Sequence, residues 1–264
     1  MSFQPIVPFN GYSGWQFLRQ TRAAQEQAFQ NSPSIQSNVD YFRANISSVV
    51  SAEELVNDRR LLTVALGAFG LDADLDNRFF IQKVLNDGSL SETALANKLS
   101  DKRYLSFTQA FGFGDQILPN TQSANFAEDI ISAYQSRQFE IAVGQQNDNM
   151  RLAMNAERRL PELATSGMSN EAKWFSIMGD LPLRKAFETA FGLPASFGQL
   201  SVDRQNAEFQ NRARQVLGTS DISAFEDPKH LEKFTQMFLL RAQLNGQNQH
   251  MSASGIALTL LQGA

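Results

Sequence analysis

Cysteine is absent from the 264 residues. That excludes disulfides and thiolate metal sites, and it leaves the redox state of the compartment unmarked. Histidine is nearly absent too. His230 and His250 are the two present, and neither has a second ligand nearby in the sequence, so neither is expected to act as a catalyst or bind a metal. Charge of either sign is modest: 19% of residues are charged, and the net value is -4 with a pI near 5.3. Such a mild acidic balance gives no long-range attraction for phosphate, so no nucleic-acid partner is expected. No stretch approaches the roughly 18 consecutive apolar residues of a membrane span. The first 17 residues lack a basic start, an apolar core and a small-residue cleavage pattern. No cleaved signal peptide is therefore expected, and the cytoplasm is the default location.

What is present is helical patterning. The chain is 42% hydrophobic, within the globular range, and long enough for one large or two small domains. Pro5, Pro8 and Gly11 keep residues 1–13 out of a helix and predict an extended arm whose Phe3, Ile6, Val7 and Phe9 pack back on the body or insert into a partner. Helical spacing begins after Gly14. Ile35, Val39, Phe42 and Ile46 form an apolar stripe at steps of three and four. Ser51 precedes Glu54 by three residues, the signature of a capping box, and the helix it starts is expected to run on towards Phe69. Asp76 and Asp101 are expected to cap helices carrying Phe79–Leu85 and Tyr104–Phe111. Residues 122–166 read as one long helical stretch, broken near Gly144 and the polar Gln145–Asn149 run. No run alternates like a strand, so the fold class is all-α.

Parts of the pattern recur. Asp58, Leu61 and Ala68-Phe69-Gly70-Leu71 match Asp180, Leu183 and Ala190-Phe191-Gly192-Leu193 without a gap. Val84-Leu85 matches Val216-Leu217, and Phe107-Thr108-Gln109-Ala110-Phe111 matches Phe234-Thr235-Gln236-Met237-Phe238. The order holds while the offset drifts, as it would with loops of unequal length. The expected organisation is an arm and helices over 1–50, a helical module over 51–120, connecting helices over 121–168, and a second, related module over 169–244. A polar loop with a short apolar tail follows over 245–264. Gly70 and Gly192 would supply a left-handed turn after a helix, a corner device with no ligand role.

The chemistry-bearing patterns fail on inspection. Asp72, Asp74 and Asp76 alternate like the start of a calcium loop, but Asn77 replaces the required glycine and Lys83 the bidentate glutamate. Gly112-Phe113-Gly114 has no third glycine and no preceding strand, so it is no nucleotide cradle. Catalytic, cofactor-binding and metal-ligating residues are all expected to be absent, as is a small-molecule substrate. The candidate interaction surface is placed at the termini, on Phe3, Phe9 and Trp15 and on Leu258, Leu260 and Leu261, which could seal against a neighbouring subunit.

Several blocks together resemble a known family. They are Gly14-Trp15-Gln16-Phe17-Leu18, Asp58-Arg59-Arg60-Leu61-Leu62 with Ala-Phe-Gly-Leu, Asp101-Lys102-Arg103-Tyr104, Arg137-Gln138-Phe139-Glu140, and Trp174-Phe175 with Pro182-Leu183-Arg184. In combination they resemble the alphaproteobacterial domain of unknown function 1217. Members of that family commonly lie in flagellar and motility gene clusters. The resemblance implies a setting, the flagellum or its basal body, and carries no catalytic residues. It implies a non-enzymatic structural or assembly protein whose partners are other flagellar proteins and itself. A cytoplasmic chaperone of flagellar export and an enzyme with an unfamiliar helical site are the rival readings. About a sixth of the chain is Gln or Asn, which suits a substrate exported without a cleaved signal.

Overall fold

The computed structural model describes residues 3–250, and within them it contains thirteen α-helices, five short 3-10 turns and no strand. The all-α expectation holds. The chain forms two compact units. Among the described residues, the first comprises the stretch up to Ile6 and Thr21–Val143, and the second comprises Val7–Gln20 and the residues from Gly144 onward.

In the first unit, α2 (Pro33–Asn45) packs on α4 (Arg59–Phe69), and α3 (Ala52–Asn57) packs on α4 and on α5 (Arg78–Asp87). The short α6 (Leu95–Lys98) and α7 (Arg103–Phe111) close over α5, and α7 also meets α4. The predicted stripe of Ile35, Val39, Phe42 and Ile46 is buried throughout. The Ser51 capping box is present: the Ser51 hydroxyl accepts from the Glu54 N–H at 3.2 Å, and the Glu54 carboxylate accepts from the Val50 N–H at 2.7 Å.

The helix after this box does not run on to Phe69. Asp58 is extended (φ -95, ψ 101), ends α3, and caps α4 by accepting from the N–H groups of Arg60 and Leu61 at 2.9 and 3.0 Å. The same carboxylate also accepts from the Tyr41 hydroxyl at 2.6 Å. A carboxylate with three donors outcompetes helix continuation here, although no proline or glycine marks the break. Asp58→Ala should therefore lower stability by about 1–2 kcal/mol, read as a shift in urea midpoint. An unchanged midpoint would mean that water replaces the cap at no cost.

Two further caps differ from expectation. Helix α5 begins at Arg78 with Asn77 at the cap position and no side-chain cap bond, because Asp76 is engaged by Arg59 at 2.8 Å. Helix α7 begins one residue later than Asp101 would set it, and Asp101 accepts from the Arg103 N–H at 3.0 Å.

In the second unit, α9 (Asp148–Thr165) packs against α11 (Leu181–Phe191), α13 (Pro228–His250) and the 3-10 turn Ile222–Glu226. Helix α10 (Asn170–Gly179) packs on α11 and α12 (Val202–Leu217), and α11 also meets α13. Asp180 is extended (φ -90, ψ 99) and caps α11 through the Leu183 N–H. Gly192 closes that helix in the left-handed region (φ 64, ψ 38), as Gly70 closes α4 (φ 70, ψ 31). The core is aromatic. Phe187 lies among Trp174, Phe191, Phe209, Phe225 and Phe234, with centroid distances of 4.4–6.4 Å.

Two helices cross the boundary in sequence. Helix α1 (Gly11–Gln30) starts in the second unit and ends in the first, and α8 (Phe126–Gln146) does the reverse. The break after α8 falls at Asn147, whose side chain caps α9 through the N–H groups of Asn149 and Met150. This is the break expected near Gly144. The arm is shorter than expected, because α1 already starts at Gly11, where a positive φ of 65 lets the chain turn into the helix. The polar loop expected from residue 245 is also corrected. Helix α13 continues through Asn245–His250, since Gln and Asn are tolerated in helices and no proline intervenes.

Candidate interaction surface

The residues expected at an interface have separate fates. Trp15 is 2% exposed, so it is a core residue of its own unit and not a contact residue. Its position early in α1 turns the indole inward. Phe9 is 56% exposed, with its ring edge on Phe17 at 6.3 Å. Phe3 is half-buried. The arm beside it is packed back by the buried Gln25 side chain. The Gln25 carbonyl accepts from the Ile6 N–H at 2.7 Å, and its amide donates to the Ile6 carbonyl at 3.1 Å. Leu258, Leu260 and Leu261 lie outside the described residues.

Three strongly exposed apolar residues lie instead on two loops of the first unit. One loop follows α5 (Gly88–Ser91) and the other follows α7 (Gly112–Pro119). The backbones touch: a Cβ on Gly114 would lie 2.5 Å from the Asn86 carbonyl oxygen and from the Gly88 nitrogen. Gly88 itself has a φ of 71 and admits no side chain without strain. Asp115 joins the two loops. Its carboxylate accepts from the Ser89 N–H and the Ser89 hydroxyl, both at 2.7 Å, and from the Leu90 N–H at 3.1 Å. Asn97 adds a second tie, donating to the carbonyls of Ser89 and Ser91 at 2.7 and 2.8 Å. Phe113 lies tilted against the buried Phe111, with ring centroids 5.7 Å apart. Outward stand Leu90 at 80% exposure, Ile117 at 102% and Leu118 at 68%. Single exposed apolar residues are ordinary. Three large ones on two loops tied together by Asp115 are the candidate contact residues.

Partial burial works against the Asp115 charge, but the donors from Ser89 and Leu90 outweigh it and hold its carboxyl below the usual range. A carboxyl whose folded value is depressed adds stability that is present above its unfolded value, about 4, and lost as pH falls through the folded value. The Leu90 amide should therefore be protected from hydrogen exchange near neutrality and lose protection below about pH 4. Asp115→Asn should expose it at neutral pH. Protection unaffected by either change would show that Asp115 does not hold the loops.

Several acids and bases elsewhere are engaged in structural pairs. The Asp72 carboxylate accepts from Gln138, that of Asp74 from Tyr104 and Asn77, and that of Asp76 from Arg59. Burial first, and then the bond to Asp74, raises the Tyr104 phenol well above its ordinary value. Burial opposes the Asp101 charge as well, yet the Arg103 donors keep that carboxyl below the ordinary range. Arg103 also donates to the Gly70 carbonyl at the end of α4. These contacts gather three of the family-like blocks around one helix corner. His230 stands in the first turn of α13 with Nδ1 3.8 Å from Asp227. Among the described residues, no three His, Cys, Asp or Glu side chains group closely enough to hold a metal ion, and no helix is long and apolar enough to cross a membrane. A pocket of about 310 Å³ in the second unit is lined by the amides of Asn10, Asn147, Asn149 and Gln243. Among the described residues it carries no acid, base or nucleophile.

The fold is that of an all-helical protein of two compact units, with exposed apolar side chains on two tied loops of the first. The chain belongs to the family described as protein of unknown function (DUF1217), whose model matches residues 68–231, more than half its length and including both loops of the surface. It is also similar to a crystal structure of the Agrobacterium tumefaciens protein AGR_C_984. The TM-score is 0.71 at 26% identity, covering 89% of this chain and 97% of that one. No curated protein matches the chain.

Proposed function

We propose that this protein is a non-enzymatic component of the bacterial flagellum, structural or assembly-related, that works by binding other flagellar proteins. The observation that carries the contact role is the outward placement of Leu90, Ile117 and Leu118 on loops fixed by Asp115. Apolar side chains on a pre-ordered support lose little conformational freedom on binding, which favours a protein partner. Family membership supports the flagellar setting, because the sequence blocks resemble a family often encoded among motility genes. The matching geometry at Asp58 and Asp180, and at Gly70 and Gly192, supports the further reading that the helical modules over 51–120 and 169–244 are related.

Location tests the proposal. The protein should co-purify with hook–basal bodies, and a strain lacking it should swim poorly. Recovery only from cytosol would favour an export chaperone instead. Normal swimming without the gene would remove the flagellar reading altogether.

A further inference from the structure

The N-terminal arm is held by its main chain. Gln25 is 8% exposed, and two of its three hydrogen bonds go to Ile6, one accepted from the N–H and one donated to the carbonyl. The third runs from the amide to the Thr21 hydroxyl at 2.8 Å and fixes the carboxamide on α1. Accepting from and donating to one residue is the pairing of an antiparallel ladder, so Gln25 stands in for a neighbouring strand. The Ile6 side chain is 59% exposed, whereas Pro5 is buried and Phe3 half-buried. The seat therefore reads extended backbone at one residue and packs the proline before it. Two of the three Gln25 bonds are lost when the arm leaves, so the seat favours an occupant of that same form.

The arm has this form wherever it lies. Pro5 and Pro8 fix their own φ and bias Gln4 and Val7 towards extended backbone. An unseated arm thus does not coil into a helix, and it loses little freedom on docking. Helix α1 begins at Gly11, where the positive φ of 65 marks a residue able to turn the arm another way. The occupant whose fit the structure displays is the arm's own sequence, and every copy of the chain carries one. Exchange between copies keeps each contact of the seat and changes only which chain supplies the strand.

We infer that the seat at Thr21 and Gln25 is a self-association site, on which the extended segment Phe3–Ile6 of one copy docks in place of the other copy's own arm. Within one chain, the short link from Val7 to Asn10 gives the arm an effective concentration on the order of millimolar. Exchange therefore sets in where copies are crowded to about that level, as in an assembly, and the dilute chain keeps its own arm. The site shares no residue with the loops that carry Leu90, Ile117 and Leu118.

The test is complementation between two full-length variants. One carries Gln25→Leu, which spoils the seat and leaves the arm intact. The other carries Ile6→Pro, which removes the N–H that Gln25 accepts and leaves the seat intact. The chain has no cysteine, so Gln4→Cys in the first variant takes a donor dye and Ala24→Cys in the second an acceptor without background. Both labelled positions are exposed, and Ala24 adjoins Gln25. Mixed, the pair should show energy transfer at about a tenfold lower concentration than two unaltered chains labelled at the same positions, because no intact arm contact within either chain competes. An excess of a synthetic peptide of residues 3–10 should abolish the transfer, and a scrambled peptide should not. Absence of transfer up to about 1 mM would overturn the inference. So would transfer that ignores the peptide, or that is equally strong between two chains both carrying Gln25→Leu, since either result places the contact on another face. Circular dichroism checks both folds. If Gln25→Leu unfolds the chain, unaltered labelled chains at about 1 mM, with and without the peptide, decide the question. The outcome is independent of whether the protein is found in basal bodies, so the flagellar proposal stands or falls separately.

Discussion

Phe187→Ala should cost the second unit about 3–5 kcal/mol, the largest loss expected for a single truncation in this chain. The ring is fully buried, and it is the hub of the aromatic core. Phe234 lies 4.4 Å away, Phe191 5.4 Å, Trp174 5.5 Å, Phe225 6.2 Å and Phe209 6.4 Å, so helices α10, α11, α12 and α13 and the Ile222–Glu226 turn all contribute to its surroundings. Truncation would leave a cavity walled by rings that cannot all close on it, and both the transfer term and the cavity term count against the variant. Phe187→Leu keeps much of the volume and should cost less than half as much, roughly 1.5 kcal/mol. Urea unfolding followed by far-ultraviolet circular dichroism would measure both. A loss under about 1 kcal/mol for the alanine variant would mean that the core relaxes freely, against the close packing of its rings.

Lys173 carries the second large effect. It is 4% exposed, and its ammonium donates to the Ala164 carbonyl at 2.7 Å and to the Ser223 hydroxyl at 2.9 Å. The first contact satisfies a carbonyl in the last turn of α9, at the negative end of that helix. The second ties the same point to the 3-10 turn that packs along α9. Lys173→Met keeps the apolar stem and removes the donor. It should cost roughly 2 kcal/mol, the penalty of leaving a buried carbonyl unpaired. Lys173→Ala also loses the stem and should cost roughly 3 kcal/mol. Identical losses for the two variants would show that packing alone is at stake. No loss for methionine would show that water reaches the Ala164 carbonyl.

The helices were legible in the sequence because their causes are local. Spacing at three and four residues marked Ile35, Val39, Phe42 and Ile46, and the Ser51–Glu54 pair marked a helix start. The glycines at 70 and 192 gave away helix ends, since only glycine takes the left-handed turn without strain. Other features depend on partners distant in sequence. The break at Asp58 needs Tyr41, seventeen residues earlier, and Asp76 was drawn away from its helix by Arg59. The burial of Lys173 turns on Ser223, fifty residues later. The exposed apolar side chains on the loops were the least legible part. An aromatic near a terminus suggests an exposed anchor, yet Trp15 is core. The exposed side chains belong to ordinary loop residues, on two loops that Asp115 joins through Ser89 and Leu90. The one available hint was Gly112-Phe113-Gly114-Asp115, read as a failed nucleotide motif when its glycine at 114 serves loop-to-loop approach.

Trp15 and Trp174, the chain's two indoles, both belong to the second unit, and both are buried. Emission from this protein is therefore a private channel: its red shift on denaturation announces the melting of one unit and is silent about the other, while ellipticity sums the two. Recording both signals in a single titration would reveal, with no engineered probe, whether the halves of the molecule come apart together or in turn.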